Sequence, residues 1–394
     1  MSRNYETLTQ SYQQRVTTML QFDAVRLHDS SHALRTEIRC FLEEHLPEGH
    51  RPNSDFLSGH NPEFSKILGS KGYIGMNIPV EYGGGGKSFF DRYVVAEELL
   101  AAGAPITAHW FSDRQFAPVL MDIGSQEQRQ RYLPDICAGT SFSSIGMSEP
   151  GSGSDLAAIR TSAKKVDGGW RVNGTKLWST FAHKNHFMIA LVRTSPQSDQ
   201  RHAGMSQLII KLSDDSVSVR PIRNMGGDED FNEVVFSDTF VPDEDVLGEV
   251  GNGWNQCTAE LGYERSGSER FLSTFRVYIE FLRLFRDKPN DLQAAAIGRI
   301  TSNIMALRRM SLSVVGMLEA GKSPTVEAAL VKELGNNFEK ILPEIARLAA
   351  PLDVDKTEFI QTYRESILLS PSTTLRGGTR EILRGVIARG LGLR

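Results

Sequence analysis

The chain has 394 residues, with 44 Lys and Arg against 48 Asp and Glu and a formal net charge of −4. That length exceeds one ordinary hydrophobic core, so two or three domains are expected. A weakly acidic balance argues against a nucleic-acid partner. Cys40, Cys137 and Cys257 are far apart and form no Cys-x-x-Cys pair, which argues against a disulfide framework or structural zinc. The polar N-terminus does not read as a signal peptide, and the longest apolar run, Phe187 to Val192, is strand-sized. The expectation is a cytoplasmic protein with reduced thiols and no membrane span.

Residues 1–25 are polar and read as a frayed extension. From Asp23 to about Leu46, apolar residues recur at three- and four-residue spacing (Leu34, Ile38, Phe41, Leu42), which predicts a helix stopped by Pro47 and Pro52. A second helix starts at Phe64 and ends by Gly72. The glycine run from Gly75 to Gly86 reads as a loop, and it lacks the Lys-Ser/Thr ending of a P-loop. Further helices are expected over Asp91 to Ala102 and, solvated, over Leu120 to Leu133. Together these make a helical domain over 26–141.

From Phe142 the period changes to two. Asp167-Gly168-Gly169 and Asn173-Gly174 read as turns of a hairpin, after which Trp178 and Thr180 share one strand face and Ser179 takes the other. Short strands over 186–194, 207–212, 216–220 and 232–236 complete a small β-barrel domain over 142–245. From Gly253 the pattern is helical again, with one helix from Trp254 toward Phe285 and others over 292–320, 326–350, 358–369 and 379–391. These predict a four-helix-bundle-type domain over 246–394. The fold class is therefore α+β multidomain: helices, a barrel, then a bundle.

Two stretches carry the chemistry. Ser148-Glu149-Pro150-Gly151-Ser152-Gly153-Ser154-Asp155 is a tight bend: Pro150 fixes φ, and Gly151 and Gly153 leave backbone N–H groups exposed beside serine hydroxyls. Such a bend either approaches a flat or anionic ligand or simply closes a hairpin. The second is a stripe at spacings of three and four, formed by Trp254, Cys257, Leu261, Glu264, Ser268, Phe271 and Phe275, in which Glu264 is the one charged member. A buried carboxylate there is either a general base with a raised pKa or a structural group bonded to Arg265 or a neighbouring helix. Glu260, Arg265 and Glu269 lie off the stripe and are expected to be solvated or ion-paired.

The bend, followed by Asn173-Gly174-Thr175-Lys176-Leu177-Trp178-Ser179-Thr180, resembles the flavin-binding β-domain of the acyl-CoA dehydrogenase family. That family has Thr-Glu-Pro-Gly-x-Gly-Ser-Asp and then Asn-Gly-x-Lys-x-Trp-x-Thr. The loop around Tyr82-Gly83-Gly84, Val241-Pro242 with Leu247-Gly248, and Gly377-Gly378-Thr379-Arg380-Glu381-Ile382 fit further family signatures. The resemblance covers nearly the whole chain after about residue 25.

It implies FAD, with cofactor contacts from Met147, Ser148, Gly153, Ser154, Trp178, Thr180, Thr379 and Glu381. It implies substrate contacts from Ser154, Leu261 and Arg265, and no metal. Most members carry the catalytic glutamate in a Tyr-Glu-Gly-Thr turn, where this chain has Gly377; a minority place it in a Glu-Arg pair on the first bundle helix, which Glu264-Arg265 matches. Thr379 reads either as a hydrogen-bond partner of FAD or as an N-cap.

The expected activity is α,β-desaturation of an acyl-CoA or acyl-carrier thioester, with electrons passing to an electron-transfer flavoprotein. A non-catalytic partner subunit and a flavin-dependent oxidase are the alternatives. The Arg-x-x-Phe-Gly and Gln-x-x-Gly-Gly segments that contact a neighbour's FAD in common homotetramers are absent; residues 347–362 contain no glycine. Steroid side-chain members, which assemble from two different subunits, are similar in both respects, so a dimer or tetramer with a paralogous subunit is expected.

Overall fold

The computed structural model describes residues 20–51, 59–196, 199–265, 267–351 and 358–393. In the N-terminal part, α1 (Asp29–His45) turns Ile38, Phe41 and Leu42 toward α3 (Phe89–Ala102), and Phe64 and Leu68 of α2 (Pro62–Ser70) complete that core. Ser88 caps α3, its Oγ accepting the Asp91 N–H at 3.1 Å. The glycine run is folded rather than slack, with Gly85 N–H on the Gly75 carbonyl at 3.1 Å and Gly86 N–H on that of Ile78 at 2.9 Å.

Residues 107–119, unassigned by pattern, are helical and run on to Ile123: α4 (Thr107–Phe111), a π turn (Ser112–Phe116) and α5 (Ala117–Ile123). Thr107, His109, Trp110, Ser112 and Asp113 are all buried, so no amphipathic period announces this segment. The helix expected over 120–133 is two. Gly124 takes an extended conformation after α5, and α6 (Gln126–Cys137) starts afresh with a Ser125–Gln128 capping box.

The middle region is one eight-stranded sheet: β1 (Ser143–Gly146), β2 (Ser162–Val166), β3 (Gly169–Thr180), β4 (Phe187–Arg193), β5 (Met205–Lys211), β6 (Val217–Ile222), β7 (Phe231–Pro242) and β8 (Val246–Leu247). Its order is β6-β7-β3-β2-β4-β5-β8, with β1 parallel to β4. β7 stops at Pro242 and β8 starts at Val246, so only Asp243–Asp245 joins one side of the sheet to the opposite edge. Three residues reach about 10 Å at most, so the sheet is rolled. Val172, Met188, Ala190, Leu208, Ile210, Val234 and Phe236 fill its interior.

Asn173-Gly174 is not a turn. It lies inside β3, where the pairing with β7 shifts between Val172 and Gly174. Gly174 has φ 147°, and a side chain there would begin 2.5 Å from Thr161 Oγ1. Asn173 faces two residues of β7, Ser237 and Asp238, so the turn-forming pair sits opposite a β-bulge instead.

The C-terminal part consists of α7 (Gly253–Glu264), α8 (Phe275–Phe285), α9 (Asp291–Glu319), α10 (Thr325–Ala349), α11 (Glu358–Thr373) and α12 (Arg380–Gly390). The single helix expected from Trp254 to Phe285 is interrupted after Glu264; a 3-10 turn at Ser268–Arg270 separates α7 from α8. Serine and glycine in the Ser266-Gly267-Ser268 run are poor helix formers, and the apolar spacing alone did not register them. Phe271, Val277, Phe281, Phe338, Leu342 and Phe359 form the bundle core. Glu97 of α3 binds Arg308 of α9 at 2.6 Å and Arg35 of α1 at 2.8 Å, tying the N-terminal helices to the bundle.

Residues 20–25 are not frayed: Phe22 packs on Val314, Ala328 and Val331, and Val25 packs on the cluster of Phe90, Leu312 and Val315. The rest of the expected extension lies outside the described residues.

Candidate functional site

The two motifs of the middle region are bound to each other. Lys176 Nζ donates to Glu149 Oε1 at 2.8 Å and to the Met147 carbonyl at 3.1 Å. Glu149 also accepts the N–H groups of Arg160 at 2.6 Å and Thr161 at 3.0 Å, and Leu177 N–H donates to the Ser148 carbonyl at 2.8 Å. Burial lowers the Lys176 pKa to about 8 against the pull of Glu149. Burial pushes Glu149 up, but Lys176 and the N–H donors bring it below the usual carboxylate value.

Braced this way, the bend presents Gly153 and Ser154 to solvent, Ser148 and Met147 half-buried, and nothing within 4 Å of where side chains at Gly151 and Gly153 would begin. A second bulge, between Lys176 and Ser179, exposes Trp178. Its φ of 64° is an uncommon backbone state for an aromatic residue, and the residue is 56 % exposed, its ring meeting that of Phe231 edge-on at 6.2 Å. Ser179 is buried, and Thr180 is half-buried with its carbonyl taken by Ser144 Oγ at 2.8 Å. An open glycine bend beside an outward indole suits a flat aromatic cofactor, so these residues fit a flavin.

α7 links this region to the C-terminus. Trp254 and Cys257 pack with Met147, Leu191 and Met205 at its start. At its other end Arg265 is buried, and its Nη2 is 3.5 Å from where a side chain on Gly378 would begin. The Glu264-Arg265 pair and the Gly377-Gly378-Thr379 turn, over a hundred residues apart in sequence, are therefore neighbours. The side chains of Leu261 and Glu264 lie outside the described residues. Thr379 caps α12, its Oγ1 accepting the Ile382 N–H at 3.4 Å. Glu381 is exposed in that first turn, and N-terminal backbone N–H bonding followed by the Thr379 hydroxyl lowers its pKa.

Glu269 and Arg265 are not solvated as one alternative had it; both are buried, and Glu269 pairs with Arg270 at 3.4 Å and Arg114 at 3.7 Å. Lys332 of α10, fully buried, donates to the Arg376 carbonyl just before the glycine turn at 2.7 Å. Its position within the apolar stripe Ala328, Val331, Gly335, Phe338, Leu342 is the signal in the sequence that marks it. Among the described residues there is no cluster suited to a metal ion, and no helix is long and apolar enough to cross a membrane.

Residues 28–140 match the acyl-CoA dehydrogenase N-terminal domain and residues 144–239 the acyl-CoA dehydrogenase middle domain. The chain thus belongs to the acyl-CoA dehydrogenase family, a family of flavoproteins, and is an acyl-CoA dehydrogenase. It is similar to acyl-CoA dehydrogenase IpdE1 of Mycolicibacterium smegmatis, 31% identical over 349 residues that cover 84% of this chain and 87% of the relative. Acyl-CoA dehydrogenase FadE26 of Mycobacterium tuberculosis is 30% identical over 82% of this chain and 86% of its own. Among solved structures, the Tcur3481-Tcur3483 steroid ACAD superposes with a TM-score of 0.83 at 26% identity, covering 93% of this chain and 98% of that one. The ChsE4-ChsE5 complex from Mycobacterium tuberculosis does so with 0.79 at 25% identity, covering 94% and 100%.

Proposed function

We propose that the chain is an FAD-dependent dehydrogenase that converts an acyl-CoA into its α,β-enoyl thioester, with Glu264 as the base. The observation that carries this reading is the approach of Arg265 to Gly378. The two positions from which a glutamate serves in the family, the helix pair and the C-terminal turn, adjoin here, which supports a base at the end of α7 standing in for one at Gly377. Glu264 is the last residue of α7. A base in that role must be ionised at rest to accept the α-proton.

FAD bound there would supply the hydride acceptor for the β-hydrogen. Met147, Ser148, Gly153, Ser154, Trp178 and Thr180 would hold it from the sheet, and Thr379 and Glu381 from the start of α12. Ser154, Leu261 and Arg265 would contact the thioester substrate. Lys332 holds the Arg376 carbonyl, and the N–H of Gly377 on the opposite edge of that planar peptide points the other way, suited to a thioester oxygen. An electron-transfer flavoprotein would reoxidise the enzyme.

The test is Glu264→Gln in the flavin-loaded enzyme. Flavin absorbance should persist while turnover falls ~10²–10⁴-fold and α-proton exchange of a bound acyl-CoA disappears. Near-normal turnover would make Glu264 a structural carboxylate.

A further inference from the structure

Arg114 sits in the π turn between α4 and α5 with its side chain 12% exposed. Its guanidinium lies over the Trp110 ring, 4.9 Å from the centroid, and Nη2 is 3.7 Å from Glu269 Oε2, beyond hydrogen-bond reach. Among the described residues its five N–H donors meet no hydrogen-bond acceptor. Its neighbour Arg92, in contrast, donates to the Asp113 carbonyl at 2.8 Å. Glu269 Oε2, facing Arg114, also has no hydrogen-bond partner. Nearly buried arginines are normally tied by paired, charge-assisted bonds; Arg114 is held loosely by stacking and long-range attraction.

The π turn stands between the two sides of the proposed site. Ser112 Oγ donates to Ser143 Oγ at 3.0 Å, and the adjacent Ser144 donates to the Thr180 carbonyl. On the other side, a side chain at Gly267, three residues beyond Glu264, would begin 2.6 Å from Arg114 Nη2. An acyl chain passing between the end of α7 and the strand that carries Trp178 would meet this guanidinium. A purely aliphatic chain would strip water from the donors and offer nothing in return.

We propose that Arg114 is a specificity-determining residue that donates to an oxygen acceptor, an oxo or carboxylate group, carried by the acyl chain away from the thioester. Trp110 fixes the guanidinium plane, and Arg270 shares the charge of Glu269 at 3.4 Å so that the acceptor is not repelled by a bare carboxylate. The inference rests on the acyl-thioester reading above.

The test compares kcat/KM of the flavin-loaded enzyme, with its partner subunit where loading requires one, for acyl-CoA thioesters of equal length. One has a plain chain, one an oxo group and one a terminal carboxylate. The parent enzyme should prefer an oxygenated chain by ~10- to 100-fold, the range of a charge-assisted hydrogen bond. Arg114→Met should bring that ratio toward one, and Arg114→Lys, which keeps the charge without the fork, should retain part of it. Non-oxidisable thioether analogues, titrated calorimetrically, should show the same split in Kd. A carboxylate preferred over the ketone makes the ligand anionic, and equal preference makes it any oxygen acceptor; both support the proposal. Should Arg114→Met not fold, an undiminished ratio in Arg114→Lys overturns the inference. An unchanged ratio in Arg114→Met with desaturation intact overturns it while leaving the reaction reading standing. Failure of every thioester to be oxidised sinks both.

Discussion

Lys176 Nζ lies 2.8 Å from Glu149 Oε1 with the two side chains 0% and 7% exposed, so an ion pair closed to water joins the glycine bend to the strand that carries Trp178. The pair fixes the relative position of the two stretches proposed to hold flavin.

Glu149→Gln should cost ~3–5 kcal/mol, because it strands a buried ammonium. Lys176→Met should cost less, since Glu149 keeps the N–H donors of Arg160 and Thr161. Urea midpoints decide this, and equal losses would refute the asymmetry. The pH dependence has a fixed sign. Lys176 titrates at about 8 in the folded chain against 10.5 unfolded, so its contribution is full above about 10.5 and lost as pH falls through about 8. Glu149 lies below its usual 4.5, so its contribution is full above that value and lost in acid as pH falls through the folded one. Melting curves of Lys176→Met should lack the alkaline gain that the parent shows.

Gly174→Ala tests the bulge. With φ at 147° and Thr161 Oγ1 2.5 Å from the new side chain, β3 must shift or strain. A loss of ~1–3 kcal/mol is expected, the range for overpacking, together with altered fluorescence as Trp178 moves. A variant as stable as the parent would mean that the bulge relaxes freely.

Lys332→Met keeps the length of a fully buried side chain and removes its bond to the Arg376 carbonyl. The Gly377 peptide should then lose its orientation, with kcat/KM falling ~10-fold or more and amide exchange rising at Gly377 and Gly378. Unaltered exchange there would remove Lys332 from the site.

Much of this was legible beforehand. The bend at Pro150 and the Lys176–Trp178 run have turn chemistry and spacing that single residues announce, and the bundle helices α9 to α12 follow their apolar period. Thr107–Phe116 was invisible because it is buried nearly all round, leaving no polar face to set a period. The break after Glu264 was overridden by apolar spacing that continued across Gly267. Asn173-Gly174 carries the same local signal opposite a bulge as in a hairpin. The meeting of Arg265 with Gly378, and of Arg114 with Glu269, joins residues too distant for any local pattern to pair.

Assembly follows from what the sequence lacks. Without Arg-x-x-Phe-Gly or Gln-x-x-Gly-Gly, a partner paralogue should complete the adenosine end of FAD, giving fewer flavins than subunits. The flavin-to-protein ratio of the chain purified alone should be well below one and rise on co-expression with the paralogue. A homotetramer with one tightly held FAD per chain would contradict this.

The contacts of Glu97 with Arg308, and of Phe22 with Val314 and Ala328, have a bearing on biosynthesis. As the chain leaves the ribosome, α1 to α3 emerge long before α9 and α10, with the whole sheet between them. Until those helices arrive, Glu97 lacks one of its cations and Phe90 and Tyr93 lack their apolar cover from Leu312 and Val315. Contacts of such sequence separation are slow to close. The nascent N-terminal helices therefore keep this apolar surface uncovered through the synthesis of some two hundred residues, and chain truncations ending before α9 should aggregate.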